Sequence, residues 1–191
     1  MKRETTPSRI TEKIIELCGQ VVPGIEPIYV PVIVKSWCLP SECFPNVERM
    51  VKEQGGRQIY GWAVWQWANI LVETEAHSVW ENPKGELIDI TPHYGEGTIL
   101  FLADPGMVYD NNTIPNIRSA LTSSPLVAEY IRLMNERDRI MCETPGPMCA
   151  IPINLLRRKE QIQMMFYKKV GRNDLCPCQS GLKNKKCCGR E

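Results

Sequence analysis

Apolar residues recur every three or four positions in several stretches of the chain, and this spacing predicts amphipathic helices. In the first stretch the repeat joins Ile10, Ile14 and Leu17, with charged residues between them. The same reasoning predicts helices over residues 8–20, 45–54, 115–122, 125–143 and 153–169.

The middle of the chain is rich in aromatic and β-branched residues, which are typical of strands. The pattern predicts strands over residues 58–67, 70–80 and 86–90. The segment Asn82-Pro83-Lys84-Gly85 predicts a tight turn, because proline presets φ and glycine accepts a positive φ. A three-residue hairpin loop at that turn pairs Asn82 with Glu86. Residues 91–114 are predicted to be rich in loops.

The order of helices, antiparallel strands and further helices predicts an α+β fold, in which helices flank an antiparallel sheet. The last twenty or so residues have a different, cysteine-rich composition. We therefore expect a main domain of residues 1–168, with helical additions from about residue 115, and a zinc knuckle of residues 169–191.

Composition narrows the range of functions. The chain of 191 residues has a formal net charge of +1, so no global field attracts nucleic acid or an anionic membrane. No apolar run approaches the length of a membrane-spanning helix, and no apolar signal core follows the first residues. We therefore expect a cytoplasmic protein with no membrane partner and no nucleotide cofactor.

Four of the nine cysteines crowd into the C-terminal tail. They are Cys176, Cys178, Cys187 and Cys188. Tetrahedral Zn²⁺ accepts four thiolates, and a ligand shell without water marks a structural ion. A secreted disulfide framework would instead spread its cysteines along the chain and follow a signal peptide. We therefore predict one structural zinc ion.

The tail resembles the SEC-C motif, which is known from the C-terminal end of the SecA translocation motor and from smaller bacterial proteins. The resemblance covers residues 171–189, which read GRNDLCPCQSGLKNKKCCG. Gln179 stands where the family usually has glycine, and Cys188 where SecA has histidine; neither change removes a zinc ligand. In SecA the motif contacts a chaperone and the ribosome. The resemblance therefore implies that the knuckle docks a protein partner, with RNA or the ribosome as the open alternative.

A second group of reactive residues lies in the main domain. Cys43 comes just before the helix over residues 45–54, where the free N–H groups and partial positive charge of a helix N-terminus favour a thiolate. The hairpin register pairs Val79 with Asp89 and puts His77 diagonally opposite Asp89 on the same face. Since a carboxylate orients histidine and histidine can then serve a thiol, we predict a Cys43–His77–Asp89 triad.

This layout resembles the transglutaminase-like branch of the papain superfamily. The resemblance covers residues 36–92 and rests on four short segments: Cys43 with its helix, Gly55-Gly56, His77-Ser78-Val79-Trp80, and Leu87-Ile88-Asp89-Ile90-Thr91-Pro92. It implies a papain/transglutaminase-like core and chemistry at an acyl carbon. Members include proteases, peptidases, deamidases and acyltransferases, and some have lost activity.

Other assignments of the reactive residues stay open. Cys43 can instead be a buried structural thiol, because free cysteine packs as a small hydrophobe. Cys38 can be the nucleophile, although no helix follows it directly. The chain has two histidines, so His93 competes with His77 as the base or binds substrate.

A metal site is the remaining alternative in this region. Glu73, Glu75 and His77 alternate along one strand and therefore share a face, and Asp89 lies on the neighbouring strand. We disfavour a metal there, because no second histidine completes a convincing ligand set.

Two functions from different classes follow. In the first, the protein is a zinc-binding SEC-C motif protein whose main domain is a cysteine-dependent hydrolase or acyltransferase. In the second, it is a non-catalytic adaptor that docks a protein or RNA through the knuckle and the basic helix around Arg157-Arg158-Lys159. The near-zero net charge argues against a nucleic-acid-processing factor. The sequence alone leaves open whether the protein is an enzyme.

Overall fold

The computed structural model describes residues 4–93, 95–144, 149–167, 171–176, 180–187 and 189. The helices are α1 (Glu12–Val21), α2 (Cys43–Gln54), α3 (Pro125–Glu143) and α4 (Ile153–Tyr167). The strands are β1 (Ile28–Pro31), β2 (Arg57–Trp67), β3 (Leu71–Glu81), β4 (Leu87–Ile88), β5 (Thr98–Ala103) and β6 (Ile117–Ala120). The prediction of an antiparallel sheet accompanied by helices is confirmed.

The chain forms two compact units. The first contains residues 1–65 and 74–110, and the second contains residues 66–73 and 111–191. The far end of the β2–β3 hairpin thus belongs to the second unit. The division into residues 1–168 and 169–191 follows a different boundary and stays a prediction. None of the described helices is both long and apolar enough to cross a lipid bilayer.

The sheet follows the strand order β1-β5-β2-β3-β4. β5 lies between β1 and β2 and is antiparallel to both, with Phe101 opposite Ile28 on one side and Ala63 on the other. After Ile88 the chain leaves β3 and approaches β1, where Val32 and Asp89 form a parallel bridge. The two ends of the strand order therefore meet at Asp89.

The sheet of the first unit carries apolar residues on both faces. One buried cluster contains Val30, Ala63, Trp65, Val79, Ile99 and Phe101. In another cluster Val47 and Met50 of α2, which lie about one helical turn apart, pack with Ile90. The second cluster holds α2 beside the chain that follows β4.

Glycine ends α2 and allows a close approach to β3. Gly56 has a φ of 80°, and a Cβ atom there would lie 2.1 Å from the carbonyl oxygen of Glu81. A side chain at this position would thus clash with strand backbone as well as strain its own φ. The contact places the end of α2 against the strand that carries His77.

The second unit has its own core. Ser124 caps α3, because its side chain accepts a hydrogen bond from the backbone N–H of Val127. The buried residues of this core are Trp67, Ile70, Leu71, Leu126, Val127, Tyr130, Leu133, Met134, Leu155, Ile162, Cys176 and Cys187. Two of the four predicted zinc ligands are therefore packed among the apolar residues of α3, α4 and the hairpin end.

Several predicted elements are wrong. The predicted helix over residues 115–122 is instead the strand β6, which pairs with β3; the backbone N–H of Leu121 also donates to the Ile70 carbonyl. The loop predicted over residues 91–114 contains β5, whose residues Ile99–Leu102 are all buried. A strand buried on both faces has no polar alternation, so a period-two pattern does not reveal it.

Two helix starts also differ from the prediction. α1 begins at Glu12 rather than at residue 8. α2 begins at Cys43 rather than at Pro45. Proline fits inside the first turn of a helix because its missing N–H would have no partner there. Cys43 is consequently the first residue of the helix and not a loop residue before it.

A buried ion-pair network joins β6 to α3 and the hairpin end. The Arg118 side chain is 1% exposed; its Nε donates to Glu73 Oε2 at 2.8 Å, and its Nη1 to Asp138 Oδ2 at 2.7 Å. Removing the cation from such a network leaves buried carboxylates without their compensating charge.

We expect Arg118→Met to lower the free energy of unfolding by about 3–5 kcal/mol, because it removes the arginine partner of the buried Glu73 and leaves Asp138 with Arg137. Urea denaturation followed by circular dichroism measures this loss. Arg139→Met is the matched control, since Arg139 pairs with the exposed Glu136 and Glu143 and should change stability little. Equal losses in the two variants would contradict the role of the buried network.

Candidate functional site

Asp89 lies at the centre of a buried polar cluster in the first unit. Its side chain is fully buried, and its Oδ2 lies 3.0 Å from His77 Nε2 and 2.6 Å from His93 Nε2. The other oxygen, Oδ1, accepts a hydrogen bond of 2.9 Å from the backbone N–H of Thr91. Two imidazoles and one amide thus surround a single carboxylate.

The register of the β3–β4 hairpin explains why His77 contacts Asp89. Trp80 pairs with Ile88, Glu81 pairs with Leu87, and the backbone N–H of Asn82 donates to the Glu86 carbonyl. This is the register that the turn sequence predicts. His77 and Asp89 are therefore brought together as predicted, in a direct contact.

Cys43 completes the group that the sequence predicts. It is the first residue of α2 and is 7% exposed, and it lies close enough to His77 to help raise the pKa of that imidazole. Because Nε2 of His77 faces Asp89, Nδ1 is the ring nitrogen left for the thiol. The backbone N–H of Cys43 has no acceptor within its helix, since the first four N–H groups of any helix lack one.

Charge and burial act in opposite directions on this cluster. Burial by itself lowers the pKa of His77, but attraction by Asp89 and Cys43 and hydrogen bonds with both hold the pKa well above its usual value. Burial likewise raises the pKa of Asp89, but attraction by and hydrogen bonds with the two imidazoles keep that pKa well below its usual range. Asp89 therefore favours the imidazolium form of His77, and the two imidazoles favour the ionised form of Asp89.

Asn46 connects the start of α2 to this cluster. It is 5% exposed, and its side chain accepts a hydrogen bond from the Leu39 N–H at 3.1 Å and donates to the Leu39 carbonyl at 2.8 Å. Its Nδ2 also donates to the hydroxyl of Thr91 at 3.3 Å. Since Thr91 in turn donates to Asp89, one line of hydrogen bonds runs from the loop before α2 to the buried carboxylate.

Cys38 is less suited to be a nucleophile. Burial, the largest influence, raises the pKa of the Cys38 thiol. Neither Cys38 nor the residue after it begins a helix. Cys43 differs from Cys38 in its place at the start of α2, and the choice between the two as nucleophile stays a prediction.

The acidic residues on the His77 strand have other partners. Glu73 accepts from Arg118, and the exposed Glu75 accepts a hydrogen bond of 2.8 Å from the Trp65 indole. Neither belongs to the group of ligand atoms around Asp89. The metal site of Glu73, Glu75, His77 and Asp89 that the sequence argument disfavoured is therefore not assembled.

Aromatic side chains lie beside Cys43. Tyr109 stacks on Phe44 with ring centroids 3.7 Å apart, and Tyr60 lies 5.9 Å from Phe44 on another side. Burial, followed by the proximity of Cys43 and two acidic residues, raises the pKa of Tyr109. Tyr109 therefore lies near the start of α2.

The C-terminal tail forms a second candidate site, in the second unit. A bridge between Leu175 and Lys183 folds the tail back on itself, and the buried Cys176 and Cys187 lie on either side of that turn. The Cys187 sulfur is 3.1 Å from the Ser180 hydroxyl and 3.7 Å from that of Thr122. Cys178 and Cys188 lie outside the described residues.

The donor set of this tail fits zinc. Cys176 and Cys187 are both free thiols. The Cys176 thiol donates to Asn184 Oδ1 at 3.9 Å, and the Cys187 sulfur lies 3.1 Å from the Ser180 hydroxyl. A Cβ on Gly189 would lie 2.7 Å from the Asn184 side chain, so glycine permits this close approach. The sequence supplies four cysteines in this segment, the number of ligands that a closed tetrahedral zinc site takes.

Comparison with known proteins identifies the tail. A family model for the SEC-C motif matches residues 172–190. Several curated relatives carry the name protein translocase subunit SecA. One from Symbiobacterium thermophilum is 41% identical over 80 residues, and one from Clostridium acetobutylicum is 63% identical over 60 residues.

These matches cover a small part of each protein. They span 42% and 29% of this chain, and 8% and 6% of the two SecA chains. The chain therefore matches less than a tenth of the length of these relatives. No solved structure matches the chain. The comparisons thus establish a SEC-C motif at the C-terminus.

The contacts of two residues in the first site were not predicted from the sequence. Asn46 was not recognised, although a polar residue on the apolar face of α2, beside Val47 and Met50, is a detectable signal. His93 was considered only as a competing base or a substrate ligand. Its contact with Asp89 depends on the turn of residues 89–93, which an Asp followed two residues later by a bonded N–H makes possible.

We expect Asn46→Asp to lower the free energy of unfolding by about 2–4 kcal/mol, because it replaces the donor that faces the Leu39 carbonyl and Thr91 with a buried acceptor. It should also weaken the hydrogen bond between His77 and Asp89, since Thr91 would lose its anchor. Chemical denaturation and the ring N–H signals of His77 in NMR spectra measure the two effects. Unchanged His77 signals would contradict the proposed connection.

Proposed function

We propose that the protein is a thiol-dependent hydrolase or acyltransferase of papain/transglutaminase-like arrangement, with a C-terminal zinc knuckle that docks a partner. The observation that supports the enzymatic part is the placement of Cys43 at the start of α2, near a His77 whose Nε2 lies 3.0 Å from Asp89 Oδ2. Activated thiols are built from these three parts: a sulfur, a base within reach, and a group that orients the base.

The reaction follows from the roles of these groups. The Cys43 sulfur attacks an acyl carbon, and the proton of the thiol passes to Nδ1 of His77. The resulting imidazolium is stabilised by Asp89 and then protonates the leaving amine as the carbon–nitrogen bond breaks. Water or a second amine attacks the thioester, gives a proton to His77, and releases Cys43. The first route is hydrolysis and the second is acyl transfer.

The helix start serves the transition state as well as the thiol. The Cys43 N–H is one of the free donors of the α2 N-terminus, and such donors stabilise the negative oxygen of a tetrahedral intermediate. Gln58 supports this end of the helix, because its side-chain N–H donates to the Phe44 carbonyl at 3.1 Å and to Ser78 at 2.8 Å. The helix start is thereby tied to the strand of His77.

Substrate reaches the sulfur only if a neighbouring side chain moves, because Cys43 is almost completely buried. We infer that Tyr109 is the side chain that moves, because its ring stacks on Phe44, the residue after Cys43, and it lies outside the regular helices and strands.

We expect Cys43 to react with iodoacetamide faster than the exposed Cys142, because the neighbouring His77 can take the proton of the Cys43 thiol. His77→Ala should slow Cys43 labelling by about 100-fold, the scale of losing a general base, and leave Cys142 unchanged. Mass spectrometry after limited labelling of the zinc-loaded protein measures both rates.

Glu75→Gln is the matched control, since Glu75 lies on the same strand face two residues away and contacts Trp65 rather than Cys43. Labelling of Cys43 no faster than that of Cys142, or indifference to His77→Ala, would remove the enzymatic proposal. The adaptor function would then take its place.

The zinc knuckle supports docking in either case. Leu175 and Leu182 are 70% and 47% exposed, although both are large and apolar. Lysines 183, 185 and 186 lie beside them in the sequence. Apolar side chains among cations fit a protein surface with an apolar patch and acidic surroundings. We therefore propose a protein as the partner, with RNA or the ribosome as the outcome that would replace it.

We expect the purified full chain to retain one tightly held zinc ion after dialysis, and Cys187→Ser to lose it, because a three-thiolate shell binds the ion far less well. Elemental analysis measures the metal. Cys142→Ser is the control, since Cys142 lies on α3 and is no part of the knuckle. Full retention of zinc by the Cys187 variant would contradict the ligand set.

A further inference from the structure

Three side chains around Asp89 offer metal-binding atoms to a common point. Nε2 of His77, Nε2 of His93 and Oδ2 of Asp89 all lie within 4.8 Å of one another. The sequence does not favour a metal near His77, because its local pattern offers no second histidine to complete the ligand set. The turn of residues 89–93 supplies that histidine, because it brings His93 back onto the carboxylate of Asp89.

The donor atoms suit a transition-metal ion. Two imidazole nitrogens and one carboxylate oxygen form a set that Zn²⁺, Co²⁺, Ni²⁺ and Fe²⁺ accept, whereas Mg²⁺ and Ca²⁺ prefer oxygen alone. Metal bonds of about 2.0–2.1 Å place tetrahedral ligand atoms roughly 3.3 Å apart. The present separations of 3.0 and 2.6 Å need to widen by less than about 1 Å.

The surroundings of the three ligands also suit an ion. Asp89 Oδ1 is held by the Thr91 N–H, and such outer hydrogen bonds orient a ligating carboxylate. The His93 side chain is 16% exposed, against 5% for His77 and none for Asp89. An ion can therefore enter on the side of His93, where a water molecule can fill the fourth position.

We propose that His77, Asp89 and His93 bind one divalent transition-metal ion, in addition to the zinc of the knuckle. The ion replaces the two hydrogen bonds to Asp89 Oδ2 with three metal bonds. It also occupies Nε2 of His77 and so keeps the proton of that ring on Nδ1, where the ring can donate to Cys43 but not accept its proton. The metal-bound form and the thiol-active form proposed above are thus alternative states of one site.

Cobalt titration of the untagged full chain, with zinc already in the knuckle, tests this site. We expect one equivalent of Co²⁺ to bind with the weak visible absorption of nitrogen and oxygen ligands and without thiolate charge-transfer absorption. Both histidines of the chain belong to the cluster, so paramagnetically shifted imidazole N–H signals in NMR spectra can come only from it.

His93→Gln should weaken this binding by more than the roughly 10–100-fold that follows loss of an outer-shell partner. Glu75→Gln, on the same strand face, should not change it. Cys43→Ser should leave Co²⁺ bound, because the Cys43 sulfur is not among the three ligand atoms. Binding of Co²⁺ to this variant tests the metal site independently of the thiol proposal. Absence of a second metal ion, or its retention by His93→Gln, would overturn the proposal.

Discussion

The carboxylate of Asp89 is completely buried at the point where the two ends of the strand order meet, and the first unit is arranged to accommodate it. An ionised carboxylate away from water is costly unless hydrogen bonds and opposite charge surround it. Two imidazoles and the Thr91 N–H meet that requirement. The backbone of Asp89 is bound as well, since its N–H donates to the Pro31 carbonyl and its carbonyl accepts from Ile33.

The need to satisfy this one group extends to the neighbouring elements. Thr91, which holds Oδ1, is itself held by Asn46 of α2, and Asn46 also binds the backbone of Leu39. The helix that carries Cys43 is thus positioned by the same polar network that positions His77. A short apolar contact would not achieve this, because hydrogen bonds constrain direction as well as distance.

We propose two kinds of chemistry for this cluster, and they exclude one another because both use the ring of His77. A carboxylate that orients a histidine supports a nucleophilic thiol. A carboxylate between two neutral imidazoles supports a metal ion. Metal availability would therefore select between the two proposed states of the first unit. The proposed zinc ligands of the knuckle differ, because they are cysteines without such a second role.

The register of the β3–β4 hairpin could be predicted, since the Asn82–Gly85 turn sets the loop length. The side-chain period of two then decides which residues share a face. The long helix over residues 125–143 follows equally from local periodicity, and it is observed as Pro125–Glu143. β6 was mistaken for a helix and β5 for a loop, because their pairing depends on strands far away in the chain and leaves a weak local signal.

What the sequence by itself determined is therefore local: the cysteine spacing of the SEC-C motif, the register that joins His77 to Asp89, and the placing of Cys43 beside a helix. What only the tertiary structure decided is how distant segments converge. The approach of His93 to Asp89, the bond between Asn46 and Thr91, and the burial of Cys176 and Cys187 among the residues of α3 and α4 have no local pattern. They arise because a buried polar atom must find a partner wherever the packed chain offers one.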